Sequence, residues 1–414
     1  MGGPRRGSGR RKVMNLRRVT LRDLRGLPRR VARKPRQAVE AWRQARKVAS
    51  ENGLNAFKVL AEQTLLERLH SINRYSYYLY RLFEPGLSWE DKKSYLADDY
   101  YSEDRGEENV RLWSLLAPEK YRGLYDNKLV FNRFFGSLGF PLARVHGVYD
   151  PVFGYTIDGR RLRDASDLDA WLRTSGVREF VFKPVEGAEG HKVLVFVGRA
   201  DGDPGRPVTL DGDVYDAQRL VAHAKEDAAL KAGNPGADTR SYLIEERIRQ
   251  HQELTALIGP TLCCVRVQTI VTLDGEPRII AAVFKLQANP IGVDHLIHNA
   301  VGAWVDLDSG ALGRGRTRGD LEYVSVLQGA AASFVGFRLP YWSELKDLAL
   351  RAAAAFPWVG SVGWDIAISE QGPVLVEGNE RWAISLVQMP APHGLMTGEF
   401  KELYEALRRR ESSS

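Results

Sequence analysis

The segment GWDIAISEQGPVLVEGN, residues 363–379, constrains this chain more tightly than any other. Ile366 and Ile368 alternate with Asp365, Ala367 and Ser369, and Val374 and Val376 alternate with Leu375 and Glu377, the period-two pattern of half-buried strands. Gln371-Gly372 supplies a turn between them, so the segment reads as a β-hairpin. With a loop over 370–372, Ser369 faces Pro373, and the same register sets Asp365 opposite Glu377. Two facing carboxylates repel unless a cation lies between them. Asn379, two residues beyond Glu377 on the same face, adds a neutral oxygen, which makes an all-oxygen set of the kind Mg²⁺ accepts. A solvated hairpin face is the alternative.

A chain of 414 residues exceeds one ordinary core, so two or three subdomains are expected. No apolar run approaches the roughly 18 residues that span a bilayer, and the first residues lack the apolar stretch of a secretory signal. The expected location is cytoplasmic, with peripheral contact at the inner membrane surface as an option for the basic N-terminus. The two cysteines, Cys263 and Cys264, are adjacent in an apolar stretch; they exclude a disulfide framework and a Cys-based zinc site, and read as packing residues.

The net charge of +7 conceals an asymmetry: residues 1–47 carry seventeen Lys/Arg against Asp23 and Glu40, or +15, which leaves −8 on the remainder. This arm is a solvated extension, a basic helix for an anionic membrane or polyanion, or a nucleic-acid arm. No specific nucleic-acid partner is expected, because aromatics that stack on bases are missing apart from Trp42.

Six parts follow from the pattern: a basic arm over 1–50, a helical region over 51–124, an α/β unit over 125–177, a lobe with a glycine-containing loop over 178–248, a lobe with the acidic hairpin over 249–408, and a tail over 409–414. The aromatic run RYSYYLYRLF at Arg74–Phe83 reads as a buried helix. A helix ending near Gly139 precedes a strand, residues 178–198 form a strand pair, and 199–240 is a polar excursion with a helix over Ala217–Ala232. The fold class is α/β (α+β).

Three further segments carry chemistry. FVFKPVEGAEGHKVLVF sets Lys183 at a strand end before a loop with Gly187 and Gly190, whose backbone amides can approach phosphate oxygens; a plain turn is the alternative. The loop joins strand to strand, so it is neither a Walker A nor a Rossmann turn. In CVRVQTIVTLDGEPRIIAAVFKLQ a turn centred on Gly275-Glu276 puts Arg266 opposite Lys285. Opposed cations call for an anion between them, unless each reaches its own carboxylate. SYLIEERIRQHQEL places Glu245 and Glu246 at a strand end, with Glu253 beyond.

In this order YDNKLVF with LGFP, VFKPVEGAEGHKV, YLIEERI, CVRVQT, HNAVGAWVDLDSGAL and VGWDIAI…GPVLVEGN resemble the ATP-grasp superfamily over roughly residues 75–400. They are most similar to its sugar-transfer-associated branch, related to α-L-glutamate ligases. The resemblance implies two α+β lobes clamping ATP, with Lys128 and Lys183 on its phosphates under the Gly187–Gly190 loop, Glu245 and Glu246 at the adenine hinge, and Glu253 on the ribose. It implies Asp365, Glu377 and Asn379 as Mg²⁺ ligands, Arg266 and Lys285 on the transferring phosphoryl group, and Asn299 beside the metals. The implied activity is an ADP-forming ligase joining a small-molecule carboxylate to an amine, on a carbohydrate-linked or amino-acid substrate in polysaccharide or natural-product assembly. Phosphoryl transfer to a hydroxyl and a nucleotide-gated polyanion-binding protein are the alternatives. Related sequences tend to carry Asp where His298 stands and Arg where Lys285 stands, which leaves the acceptor pocket open. His298 is a candidate general base or a packed neighbour of Asn299.

If the arm serves an anionic surface, deleting residues 1–47 will leave ATP turnover intact and abolish salt-sensitive sedimentation with anionic vesicles. Equal sedimentation of both chains would assign the surface to the body.

Overall fold

A computed structural model describes residues 35–97, 107–187, 192–231, 241–287, 300–317, 322–327 and 332–411. Most of the basic arm, Gly190, His298 and Asn299 lie outside them. The chain divides into two compact units, Met1–Glu62 and Gln63–Ser414. In the first, a helix over Pro35–Glu51 includes the last part of the arm, and the Trp42 and Phe57 rings meet with centroids 4.6 Å apart.

The second unit holds two antiparallel sheets. The smaller comprises β1 (Val145–Tyr149), β2 (Tyr155–Thr156), β3 (Phe180–Pro184), β4 (Leu194–Arg199), β5 (Pro207–Thr209) and β6 (Tyr242–Glu246), in the order β2-β1-β6-β3-β4-β5. Its core is aromatic: Phe180, Phe182, Phe196 and Tyr242 pack with Trp171 from the helix Ala165–Thr174 and Leu220 from the helix Ala217–Lys231. Rings suit a pleated surface because each buries a large area with few rotatable bonds.

The larger sheet comprises β7 (Cys264–Val271), β8 (Pro277–Gln287), β9 (Ala300–Val305), β10 (Leu312–Thr317), β11 (Tyr323–Val324), β12 (Ser361–Ser369) and β13 (Gly372–Asn379), in the order β11-β10-β9-β8-β7-β12-β13. The helix Trp342–Ala355 covers one face: Leu345, Leu348, Ala349, Ala352 and Ala353, at helical spacing, meet Val265, Val267, Phe284, Trp364 and Ile366. The other face carries Asp365, Arg266 and Lys285, and farther along it is closed by Trp382, Ile384, Val387 and Phe400. Every residue of β12 is therefore buried. The aromatic run at Arg74–Phe83 is a short helix, Arg74–Leu79, with Tyr77, Tyr78, Tyr80, Leu82 and Phe83 buried as expected.

Both hairpins differ from the spacing-based registers. In the acidic hairpin Ser369 pairs with Gly372, not Pro373, so the loop is one residue shorter than expected. A bulge then lets Ile366 pair with Leu375 and Asp365 with Glu377, leaving Val376 as the extra residue. The two one-residue differences cancel, and the facing carboxylates remain. In the β7–β8 hairpin they do not cancel. The connection closes between Thr272 and Glu276, with Gly275 at φ 88°, and a bulge follows at Gln268/Thr269, so Arg266 faces Val283 rather than Lys285. Lys285 lies two residues beyond Val283, on the same face.

Gly378 separates Glu377 from Asn379 where the hairpin meets the core. A Cβ there would come within 2.9 Å of the Tyr125 ring and 3.0 Å of the Trp364 ring. Gly378→Ala is expected to cost about 1–3 kcal/mol in urea unfolding, because neither ring has room to retreat.

Candidate active site

The site-bearing face of the larger sheet centres on one carboxylate. Arg266, paired directly across from Asp365, donates Nε to Oδ1 at 2.6 Å and Nη2 to Oδ2 at 2.8 Å. Lys285, one strand farther, reaches across β7 and donates Nζ to Oδ2 at 2.7 Å. The expected opposition of Arg266 and Lys285 is not found: Arg266 faces Val283, and both cations reach a carboxylate of the protein, as in the alternative reading, except that they share one, Asp365. Asp365 is 1% exposed and Arg266 6%. Burial opposes the ionisation of Asp365, yet Arg266 and Lys285 outweigh it and hold the carboxyl well below the usual range. Burial likewise opposes the charge on Arg266, and Asp365 more than restores it.

Glu377 faces Asp365 from the other side, and Asn379 lies 3.4 Å from the Glu377 carboxylate through Nδ2. Among the described residues no group of three or more His, Cys, Asp or Glu side chains is arranged to hold a metal. Two carboxylates and an amide nevertheless fit Mg²⁺, which binds few protein oxygens and keeps waters and phosphate oxygens as its other ligands. Asp365 retains lone pairs beyond its three hydrogen bonds. Cys263 is buried in the core, as a packing residue; Cys264 at the start of β7 is half-buried, on the face of Arg266, and desolvation pushes its thiol up to about 12.

Gln268 was not singled out from the sequence. It is two residues beyond Arg266 on the same face, is 0% exposed, and neither amide atom has a hydrogen-bond partner among the described residues. It pairs with Gly363, where a Cβ would come within 2.8 Å of both amide atoms and 3.0 Å of Arg266 Cδ. The alternation in VRVQT was the available signal, because it sets Arg266 and Gln268 on one face.

On the smaller sheet Lys183 of β3 and Glu245 of β6 form an ion pair, both mostly buried. Lys128 opens the helix Lys128–Ser137, capped by the Asn127 side chain. Its Nζ donates to Gly187 O at 2.6 Å, and its backbone amide donates to Val185 O at 2.9 Å. Asn127 Nδ2 donates to Glu186 at 2.9 Å, so the helix start and the glycine-containing loop are tied together. Lys128, Lys183, Glu245 and Ile248 line a narrow cleft whose opposite wall is Leu375 and the bulged Val376. The cleft therefore joins the two sheets one residue from Glu377. Glu246 and Glu253 do not line it: Glu246 is exposed, with its amide bonded to Arg144 O at 2.8 Å, and Glu253 sits in the first turn of the helix Gln252–Ile258.

Two antiparallel sheets with a cleft lined by Lys128, Lys183 and Glu245 between them and an acidic hairpin beside it make an α+β fold of the ATP-grasp class. A family model described as sugar-transfer associated ATP-grasp matches residues 107–402, and the chain belongs to that family. Comparison with the curated proteins returned no match. Among solved structures the chain is similar to a biotin carboxylase from Campylobacter jejuni, at 12% identity and TM-score 0.37 over 63% of this chain and 41% of that one. It is also similar to the D-alanine-D-alanine ligase from Coxiella burnetii, at 12% and 0.37 over 74% and 67%. A third is the N5-carboxyaminoimidazole ribonucleotide synthetase from Thermotoga maritima, at 12% and 0.32 over 69% and 49%. The chain thus spans less than half the length of the carboxylase and the synthetase.

Asp365→Asn will leave two cations without their anion and is expected to cost about 3–5 kcal/mol. Because the folded carboxyl titrates below its ordinary 3.8, its contribution is present above that value and is lost as pH falls through the lowered one. Urea titrations of both proteins should show the gap constant at neutral pH and closing under acid; a gap that does not change with pH would overturn this assignment.

Proposed function

We propose that this chain is an ATP- and Mg²⁺-dependent carboxylate–amine ligase, with a carbohydrate-linked or amino-acid substrate. The observation that carries the reading is the charge arrangement at Asp365: two cations share one buried carboxylate, and a second carboxylate faces it. Family membership fits this, and so does the cleft that runs from Lys128 and Lys183 to the hairpin.

On this reading Lys128 and Lys183, with the Gly187 loop, neutralise ATP phosphates, and Glu245 keeps the Lys183 ammonium in place. Leu375 and Val376 form an apolar wall of the nucleotide cleft, while Glu246 and Glu253 serve adenine and ribose. Asp365, Glu377 and Asn379 would hold Mg²⁺, which when bound supplies Lewis-acid neutralisation of phosphoryl oxygens. Arg266 and Lys285 stand beside those ligands as cations for the charge that spreads over the transferring group. A carboxylate oxygen of the substrate attacks the γ-phosphorus and the bond to ADP breaks. The amine nitrogen then attacks the acyl carbon, phosphate leaves, and the amine gives up a proton. Gln268 offers both a donor and an acceptor next to Arg266 and suits a group that must meet an acyl oxygen and an amine. Asn299 and His298 complete the proposal from outside the described residues.

The test is a mass balance with Mg-ATP and a panel of amino acids, uronic acids and amino sugars. ADP, phosphate and a product of the summed mass less water are expected, and all three should vanish in Glu377→Ala. ADP with a phosphorylated hydroxyl would replace the ligase by a kinase, and a wild-type protein that fails to bind Mg-ATP would remove the nucleotide reading.

A further inference from the structure

Arg316, at the far side of the larger sheet, is 0% exposed and has Nε and Nη2 without a hydrogen-bond partner among the described residues. Its Nη1 donates to Met389 O at 3.3 Å, and its guanidinium carbon lies 5.5 Å from the Tyr323 ring centre. A buried guanidinium whose donors are unmet is costly, so such a group calls for an explanation. The unmet atoms are the informative part. Nε and Nη2 form the edge of a guanidinium that takes the two oxygens of a carboxylate or phosphate side by side. Arg266 uses that same edge on Asp365.

The surroundings reinforce the need for an anion. Arg81 and Arg314 also approach the Tyr323 ring, at 6.0 and 4.1 Å, so three guanidinium groups gather around one phenol. Among the described residues, Glu84 and Glu322 both pair with Arg81, and Glu84 also acts on Arg316 through space without a hydrogen bond to it. Burial depresses the Arg316 pKa. Arg316 pairs with Gly302, which pairs with Lys285, so Arg316 and Lys285 share one face of the sheet two strands apart, about 10 Å. Leu386 lies over Gly302 between them: a Cβ at Gly302 would meet its carbonyl at 3.4 Å. Arg316 is thus on the site-bearing face but walled off from the phosphoryl-transfer cations.

We propose that Arg316 anchors a second oxyanion subsite, which receives a carboxylate or phosphate group of the substrate remote from the reacting centre through its Nε–Nη2 edge. Calling the occupant a substrate rests on the ligase reading; the subsite itself does not. On this basis the acid or the amine carries a second negative group, as uronates, acidic amino acids and sugar phosphates do.

The experiment is thermal unfolding with the nucleotide site saturated by Mg and a non-hydrolysable ATP analogue, titrated with inorganic phosphate in one series and glucuronate in another. Wild type should gain stability with at least one anion, and the anion that acts identifies the chemistry. Arg316→Met should lower the apparent affinity for that anion by about tenfold or more, leave the nucleotide-induced shift unchanged, and melt no lower than wild type without anion, since an unpaired buried charge has been removed. Arg316→Lys, which keeps charge but lacks the fork, should also lose the response and decides the matter if the methionine variant does not fold. Equal anion responses in wild type and the folded variants, or none in wild type with either anion, would overturn the subsite. Loss of the nucleotide shift alone would instead count against the ligase reading.

Discussion

The ion triad of Asp365, Arg266 and Lys285 sits at the point where three strands of the larger sheet must agree in register. Arg266 is the direct cross-strand neighbour of Asp365, while Lys285, two residues beyond Val283 on β8, reaches it across β7. A one-residue slip in the β7–β8 or the β7–β12 pairing would turn one member toward the helix Trp342–Ala355 and leave a charge in the core. The charges thus help to specify the register, and the core behind them, built on Trp364, Ile366 and Phe284, supplies the stability.

The same triad decides what the site can do. It concentrates positive charge on one carboxylate while Glu377 and Asn379 hold oxygen donors beside it, an arrangement with more cation than Asp365 alone requires. The β13 bulge extends this order into the cleft: by inserting Val376 it keeps Glu377 facing Asp365 and sets Val376 beside Leu375 in the wall opposite Lys183 and Glu245. Packing and chemistry are coupled through a single extra residue.

Two buried side chains on the larger sheet keep polar atoms without hydrogen-bond partners among the described residues. Gln268 lies beside the triad and Arg316 lies two strands from Lys285, both fully buried on the site-bearing face with hydrogen-bonding atoms unmet among the described residues. Gln268 packs against Gly363, and Arg316 donates to Met389 O.

The sequence alone determined the two arms of the acidic hairpin and the order of the segments, because alternation and turn residues are local properties read at short range; Asp365 faces Glu377 as expected only because a shorter loop and the bulge at Val376 offset one another. The Lys183 loop between paired strands and the buried aromatic run at Arg74–Phe83 were legible for the same reason. The partners of Arg266 and Lys285 were not, since a shorter connection and a bulge in the β7–β8 hairpin shift the register by residues that no local pattern counts. Glu246 and Glu253 looked equivalent to Glu245, yet only Glu245 is buried against a lysine, because burial depends on the opposing sheet. Gln268 and Arg316 read as ordinary polar residues in strands. Only tertiary structure decided that each is enclosed with donors unmet, since that depends on which distant segments, Gly363 and Met389, close over them.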